Sequence, residues 1–224
     1  MRPILHIALS ALAACWLSSC TAASLCPPTD KADDWPAACF VSAQTGERQV
    51  RPQYVKNIKL NRHGVALIMI QRQRELVAVN AAGKVVIPGI RHTGDFDYPT
   101  APEDLGRYDA PASDRKGGSK RQCGYFNVRT YKIVVPAVYD YCARFDEGTA
   151  KVCKDCFEYC LMPECQNSIA LEGQAMLINT KGKRVRQVFQ PTLANVCHSR
   201  GTVKVGKTSS SRPLLECVPG GSGR

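Results

Sequence analysis

Short apolar runs separated by turn-forming residues recur along this chain. One unit is an apolar strand, an Asn-x-x-Gly or related turn, and a β-rich run that ends in or near Pro. It occurs at residues 45–52, 80–88 and 127–136, and a degenerate fourth copy lies at 179–185. Asn and Gly tolerate the positive φ angles of tight turns, and Pro, which lacks an N–H, belongs at a strand end. The pattern therefore predicts repeated β-hairpins.

A second signal follows the hairpins at a nearly constant distance. Gly64, Gly148 and Gly201 each begin a strand-like run, and each lies 17–19 residues after the turn of a copy. The unit is therefore predicted to be a hairpin, a loop and a returning strand. The second copy lacks a returning Gly and instead runs into residues 92–121, which are rich in Pro, Asp and Gly and are predicted to be an inserted loop.

The third copy carries a family resemblance. Residues 123–127, 132–140 and 145–152 look like one repeat of the bacterial WG-repeat (KWG) proteins, and the other copies are similar but degenerate over about residues 39–207. The resemblance implies an all-β repeat array and brings no catalytic residues with it. One such unit cannot bury its apolar face alone, so about four are expected to stack as a meander, sheet array or partial propeller.

The Trp that names the family is absent from these copies. Its place is taken by Cys39, Leu76, Cys123 and Ala175 in the four copies, in chain order. We infer that disulfide bonds replace the packing lost with Trp. The predicted fold is thus an all-β, degenerate β-hairpin (WG-like) repeat array stapled by disulfides, over residues 39–218, followed by a disordered tail at 219–224.

The beginning of the chain has the layout of an export signal. Arg2 precedes an apolar run at residues 4–17, which is too short to span a bilayer, so residues 1–19 are predicted to be a signal peptide. The sequence Leu-Ser-Ser-Cys at 17–20 resembles the lipobox of bacterial lipoproteins, which implies that Cys20 is acylated and anchors the chain to a membrane.

The residue after the lipid site favours one membrane over the other. Thr21 replaces the Asp that would retain a lipoprotein in the inner membrane, so the outer membrane is favoured, with the body facing the periplasm or the cell surface. Residues 20–38 then form a tether. The alternative is ordinary cleavage near Ala23 or Ser24, which would release a soluble periplasmic or secreted protein.

The cysteine content agrees with export to an oxidising compartment. The chain has 12 Cys, of which Cys15 is lost with the signal and Cys20 carries lipid. An even number remains, which predicts five disulfides whose connectivity the sequence does not give. The candidates are Cys26, Cys39, Cys123, Cys142, Cys153, Cys156, Cys160, Cys165, Cys197 and Cys217.

Four of these thiols are close in sequence and allow an alternative function. They are Cys153, Cys156, Cys160 and Cys165. Four thiolates could hold zinc, and Cys-x-x-Cys could be a redox pair. The spacing of the second pair is unusual for zinc, and Asp155 between the first two thiols would raise a thiolate pKa. Two local disulfides are therefore favoured over zinc-binding or thiol-redox chemistry.

The charge indicates either a solvated basic surface or attraction to an anionic partner, and the solvated surface is favoured. The formal net charge is +11, and loss of Arg2 with the signal leaves +10. Basic clusters occur at Arg72/Arg74, at Arg115, Lys116, Lys120 and Arg121, and at Lys181, Lys183, Arg184 and Arg186. For an exported protein the candidate partners are anionic envelope polymers, lipid headgroups or another envelope protein. No recognition module for nucleic acid is present.

Nothing in the sequence indicates catalysis or a cofactor. An acid/base pair could come from the loop carboxylates Asp95, Asp97, Glu103, Asp104 and Asp109, which would make the protein a hydrolase, but acidic loop residues are usually only solvated. The remaining histidines, His63, His92 and His198, are interpreted as surface or loop residues, with Cys197 and His198 on opposite faces of a strand. The predicted function is a non-enzymatic envelope lipoprotein whose repeat surface and inserted loop bind a partner.

Overall fold

The computed structural model describes residues 25–42, 47–92, 98, 100–112 and 121–219. Strands dominate these ranges, which confirms the all-β fold class. The predicted signal peptide, the lipid site Cys20 and residues 220–224 of the predicted tail lie outside them. Across the described ranges, no helix has both the length and the apolar character needed to cross a membrane.

The strands, in chain order, are β1 (Asp34–Trp35), β2 (Phe40–Ser42), β3 (Arg48–Val50), β4 (Val65–Ile70), β5 (Glu75–Asn80), β6 (Val85–Ile90), β7 (Leu105–Pro111), β8 (Arg121–Asn127), β9 (Ile133–Tyr139), β10 (Tyr141–Cys142), β11 (Thr149–Lys154), β12 (Phe157–Cys160), β13 (Ser168–Leu171), β14 (Gln174–Asn179), β15 (Arg184–Gln187), β16 (Thr202–Lys207) and β17 (Pro213–Val218). Short 3-10 helices cover Ala37–Cys39, Pro52–Asn57, Pro102–Asp104 and His198–Arg200.

Three of the repeat units are three-stranded antiparallel sheets. A returning strand pairs with the first strand of the next hairpin, so the units are β4-β5-β6, β7-β8-β9 and β11-β14-β15, while β2-β3 is the hairpin of the first copy. We number the three-stranded units second, third and fourth. Pairing of β6 with β7 joins the second and third units, and parallel pairing of β1 with β4 completes the seven-stranded sheet β1-β4-β5-β6-β7-β8-β9.

The carboxyl-terminal part of the chain forms two smaller sheets. One has the strand order β10-β11-β14-β15 and the other β13-β12-β17-β16, in which β12 and β17 are parallel. The hairpin β12-β13 is inserted between the returning strand and the hairpin of the fourth unit. The repeats are therefore arranged as an array of small sheets.

An Asn side chain organises the hairpin turn in the second, third and fourth units. The Oδ1 atom of Asn80 accepts hydrogen bonds from the backbone N–H groups of Ala82 and Lys84, both at 3.0 Å. Asn127 and Asn179 make the same kind of contact in the third and fourth units. These bonds satisfy backbone donors that the turn leaves free, which is why Asn recurs at this position.

The inserted loop contains a strand that the sequence did not reveal. Leu105–Pro111, within the predicted 92–121 loop, is β7 and pairs along its whole length with β8. It is the returning strand that the second copy was thought to lack. Asp104, with φ 56°, stands immediately before β7, where Gly64 and Gly148 precede β4 and β11 with φ 77° and 76°. Because Asp also tolerates this conformation, the missing glycine hid the strand.

The predicted tether is also corrected, because its described part is packed against the body. Cys26 and Trp35 are both fully buried, and the indole Nε1 of Trp35 donates a 3.0 Å hydrogen bond to the carbonyl of Pro27. Cys26 is bonded to Cys39. The folded body therefore begins by residue 25 or 26, and a buried Trp enters the core beneath the first two hairpins from outside the repeats.

Half-cystines stand at or beside the Trp positions of three units. Cys123 bonds to Cys142 within a core cluster that includes Tyr125 and Phe145, whose rings meet edge to face at 4.8 Å. In the fourth unit, buried Ala175 packs against the Cys153–Cys156 bridge. Buried half-cystines therefore lie in the core at or beside these three positions.

Candidate functional site

A cleft of about 880 Å³ opens where the strands of the first three units end. Its walls are β2 and β3, the β4–β5 turn, the ends of β6 and β7, and the start of β8. Antiparallel pairing places the end of one strand beside the start of the next, so residues distant in sequence meet here. We call it the arginine cleft, because four arginines line it: Arg48, Arg74, Arg91 and Arg121.

Glu75, the first residue of β5, lies at the centre of the arginine cleft. Arg48 donates two hydrogen bonds to its carboxylate, from Nη1 to Oε2 at 2.8 Å and from Nη2 to Oε1 at 2.6 Å. Arg121 Nη2 reaches Glu75 Oε1 at 3.3 Å. The Glu75 side chain is only 11% exposed, so solvent screens the fork-shaped pair less than an open surface pair.

The pKa of Glu75 is lower than the ordinary value of 4.5. Burial alone would raise this pKa, but the hydrogen bonds and positive charge of Arg48, with a further contribution from Arg121, outweigh the burial. Glu75 is therefore a carboxylate at neutral pH and acts as an internal anion for two of the arginines.

A second carboxylate holds the other side of the cleft. Asp109 in β7 accepts two hydrogen bonds from Arg91, from Nε at 3.1 Å and from Nη2 at 2.9 Å. Its backbone carbonyl accepts from Arg121 Nη2 at 2.8 Å. Gly89, with φ 48°, packs so closely that a Cβ atom there would collide with the Arg121 guanidinium and the Asp109 carbonyl. Only glycine lets the backbone approach these groups.

Arg74 gives the cleft an uncompensated cation. It is exposed, it has φ 48° in the β4–β5 turn, and its carbonyl oxygen lies 3.3 Å from Nε2 of His92. Its guanidinium makes no hydrogen bond or ion pair to any residue that the structure describes. Among the residues that the structure describes, four arginines and two carboxylates, Glu75 and Asp109, line the cleft. Planar guanidinium groups bind carboxylate and phosphate oxygens in pairs, so the arrangement is suited to recognising an anion.

The zinc and redox alternatives are not favoured. Cys153 is bonded to Cys156, and Cys160 to Cys165, as predicted for two local disulfides. Together with Cys26–Cys39, Cys123–Cys142 and Cys197–Cys217, they make five bridges. Within the ranges the structure covers, His, Cys, Asp and Glu side chains form no group of three or more that could hold a metal ion.

The loop carboxylates that suggested a hydrolase are dispersed in the structure. Asp109 pairs with Arg91 in the arginine cleft, and Asp104 pairs with Arg129 at 2.9 Å. Glu103 accepts a 3.2 Å hydrogen bond from the backbone N–H of Gly148. Asp95 and Asp97 lie outside the described residues. Each described carboxylate is thus engaged by a cation or a backbone donor.

The histidines have separate environments. His92 lines the arginine cleft, while His63 is exposed and its ring lies 5.9 Å from that of Tyr131. His198 is exposed at the start of a 3-10 helix, not on a strand, which corrects the prediction for the Cys197–His198 pair.

The basic clusters predicted from the sequence include only some of the residues that line the arginine cleft. Arg74 and Arg121 belong to predicted basic clusters, but Arg48, Arg91 and Glu75 were not singled out. They are isolated in sequence and meet only through strand pairing. Lys181, Lys183, Arg184 and Arg186 lie apart from the cleft, on the fourth hairpin, and Arg115, Lys116 and Lys120 fall outside the described residues.

Strand pairing, repeated turns and disulfides together define a disulfide-bonded, all-β repeat protein. A family model described as WG containing repeat matches residues 124–155, which span β9 to β11 and the end of β8. The match supports the WG-repeat resemblance at the third copy, where the sequence signal is strongest. No curated protein matches, and no solved structure matches.

Proposed function

We propose that this protein is a non-enzymatic lipoprotein of the cell envelope whose repeat body binds an anionic ligand in the arginine cleft. The observation that carries the proposal is the convergence of four arginines on one cleft from three hairpins. Sites for small ligands commonly have volumes of roughly 300–1,000 Å³. The cleft fits within that range.

The charges of the cleft suit a ligand with phosphate or carboxylate groups. The carboxylates of Glu75 and Asp109 are each bound in this way, by two hydrogen bonds from one arginine. Arg74 adds an exposed cation at the rim. The net charge of +10 that remains after loss of Arg2, from +11 for the whole chain, would also draw polyanions towards the protein.

Lipid on Cys20 would hold the cleft close to a membrane. Cys26, six residues after Cys20, is buried and bonded to Cys39. Six extended residues reach at most roughly 20 Å, since each spans about 3.3–3.6 Å. A body held this near the bilayer would meet phosphate-bearing headgroups and envelope polymers before other anions, and the outer membrane is the proposed location.

Binding of inorganic tripolyphosphate, measured by isothermal titration calorimetry, tests the ligand class. The Arg74→Gln variant is expected to bind about tenfold more weakly than the parent, because one charge-assisted contact is lost. Arg186→Gln is the matched control: it removes the same charge from exposed β15, and its affinity should change by less than about twofold. Rising salt should weaken binding to all three proteins.

Two outcomes would overturn the proposal. One is absence of heat on titration of the parent protein at low salt. The other is equal loss of affinity in Arg74→Gln and Arg186→Gln, because the effect would then come from net charge and not from the cleft. Glu75→Gln gives a second check: it removes the internal anion from Arg48 and Arg121, so affinity should rise.

A further inference from the structure

A second cleft, of about 830 Å³, lies at the opposite ends of the same strands. The arginine cleft is bounded by the ends of β4, β6 and β7, whereas this cleft is bounded by the segments that precede β4 and β7 and by the β8–β9 turn. The seven residues of β7 span roughly 23 Å, at about 3.3 Å per residue. The two clefts are therefore separate sites on one sheet. We call the second the tyrosine cleft.

Two hydrogen-bonded phenols form the floor of the tyrosine cleft. The hydroxyl oxygens of Tyr98 and Tyr131 are 2.7 Å apart, and their rings are 6.3 Å apart. Burial, with a contribution from Tyr98, raises the pKa of Tyr131. The Tyr131 phenol thus stays neutral at physiological pH. The ring of exposed His63, 5.9 Å from that of Tyr131, extends the aromatic surface towards solvent.

Tyr131 occupies a backbone position where glycine is expected. The equivalent residue in the second and fourth hairpin turns is Gly83 or Gly182, with φ 79° and 73°. Tyr131 has φ 52°, a left-handed conformation that is unfavourable for a bulky side chain. It is 6% exposed and also stacks on Phe126. Strain of this kind persists where surrounding structure imposes it, and it concentrates at functional sites.

The lining of the tyrosine cleft excludes the usual ways of binding a peptide. Its described lining comes from three turns or loops, which present no strand edge for an added strand. Ala101 and Val128 are the aliphatic side chains among the described lining residues, too few for an amphipathic helix. The lining also contains polar and charged side chains: Asn61, Arg62, Thr100 and the ion pair of Asp104 with Arg129.

We propose that the tyrosine cleft binds an N-acetylated sugar ring of a glycan. Aromatic side chains offer a flat apolar surface together with a polar group, which matches a sugar ring with an apolar C–H face and hydroxyls at its edge. Ala101 and Val128 would receive the acetyl methyl group. The described charged side chains of this lining are Arg62 and the ion pair of Asp104 with Arg129, whereas in the arginine cleft four arginines come together.

Saturation-transfer NMR and calorimetry with triacetylchitotriose, an N-acetylglucosamine trisaccharide, test this proposal on the full chain. Tyr98→Ala should bind the trisaccharide about tenfold more weakly, and Tyr98→Phe, which loses only a hydroxyl, about threefold more weakly. Phe189→Ala is the matched control, since Phe189 is an aromatic side chain that is 76% exposed elsewhere. Its affinity for the trisaccharide should be unchanged.

Tripolyphosphate binding separates the two sites and reports on folding. Tyr98→Ala should keep the parent affinity for tripolyphosphate, and Arg74→Gln should keep the parent affinity for the trisaccharide. The sugar proposal is overturned if the parent protein gives no saturation transfer to the trisaccharide, or if Tyr98→Ala binds it as well as Phe189→Ala does. Neither result bears on the proposal for the arginine cleft, which the tripolyphosphate titration tests separately.

Discussion

The second and third units are neighbours in one sheet, yet a different type of side chain fills the same buried position in each. Leu76 in β5 and Cys123 in β8 occupy the same position, and both are buried. Leu76 closes its unit by packing alone. Cys123 is bonded to Cys142 in β10, so the third unit is also tied covalently to the strand that leads into the fourth. One structural position can thus be filled by an aliphatic side chain or by a disulfide that also links units.

The same two units differ at two further positions. The hairpin turn has Gly83 in the second unit and Tyr131 in the third, both with positive φ. Five residues before the Asn of the turn, the second unit has Glu75, which pairs with Arg48, whereas the third unit has Gln122. At these positions the second unit contributes a carboxylate to the arginine cleft and the third contributes an aromatic side chain to the tyrosine cleft, while Asp109 and Arg121 of the third unit also line the arginine cleft.

Removing the bridge of the third unit should have the largest effect. The Cys123→Ala, Cys142→Ala double variant is expected to lose about 3 kcal/mol of unfolding free energy, because the bridge closes a loop with a sequence separation of 19. The control is Cys160→Ala with Cys165→Ala, whose bridge has a separation of 5 and should cost about 2 kcal/mol. Denaturant unfolding measures both. A larger loss in the control would contradict the role given to the Cys123–Cys142 bridge.

A methyl group added to the hairpin turn of the second unit should have an intermediate effect on stability. Gly83→Ala is expected to cost about 1–2 kcal/mol for the left-handed backbone. A further cost arises because the new Cβ would lie 2.9 Å from Cγ2 of Val55. Gly64→Ala is the matched control, with nearly the same φ but open space around the added atom. Thermal unfolding should show Gly83→Ala to be the less stable variant. Equal melting temperatures would mean that the turn does not dock on the preceding residues.

Acid should affect the second unit through Glu75. Its folded pKa is lowered below 4.5, so its contribution to stability is complete above that pH and is lost as the pH falls through the folded value. The contribution is at most about 1 kcal/mol, since solvent still screens the pair. Unfolding free energies measured between neutral pH and pH 3 should fall less steeply for Glu75→Gln than for the parent. Parallel curves would contradict the lowered pKa.

The sequence predicted the hairpins because their signals are local. Asn80, Asn127 and Asn179 bond to backbone groups within their own turns, so the residue type and the structure coincide. β7 was missed because Asp104 replaces the expected glycine, and the left-handed conformation it adopts is invisible in composition. The tether boundary was misplaced because a Pro- and Asp-rich composition does not reveal that Trp35 is buried.

The candidate sites were less predictable than the fold. Arg48, Glu75 and Arg121 meet through strand register, which depends on the whole sheet, and nothing in their own surroundings marks them as neighbours. Tyr131 lies within the predicted third copy at 127–136, and a large aromatic residue in a glycine position was a usable signal that the sequence analysis did not use. The five bridges could be counted from sequence, but their pairing depends on the fold.

Mass spectrometry of a non-reduced digest of the protein purified from the cell envelope tests the central claim most directly. The account predicts an acylated peptide beginning at Cys20 and five disulfide-linked pairs: Cys26–Cys39, Cys123–Cys142, Cys153–Cys156, Cys160–Cys165 and Cys197–Cys217. Free thiols at Cys153 to Cys165 with bound zinc, or an unmodified chain that retains its first 19 residues, would contradict it.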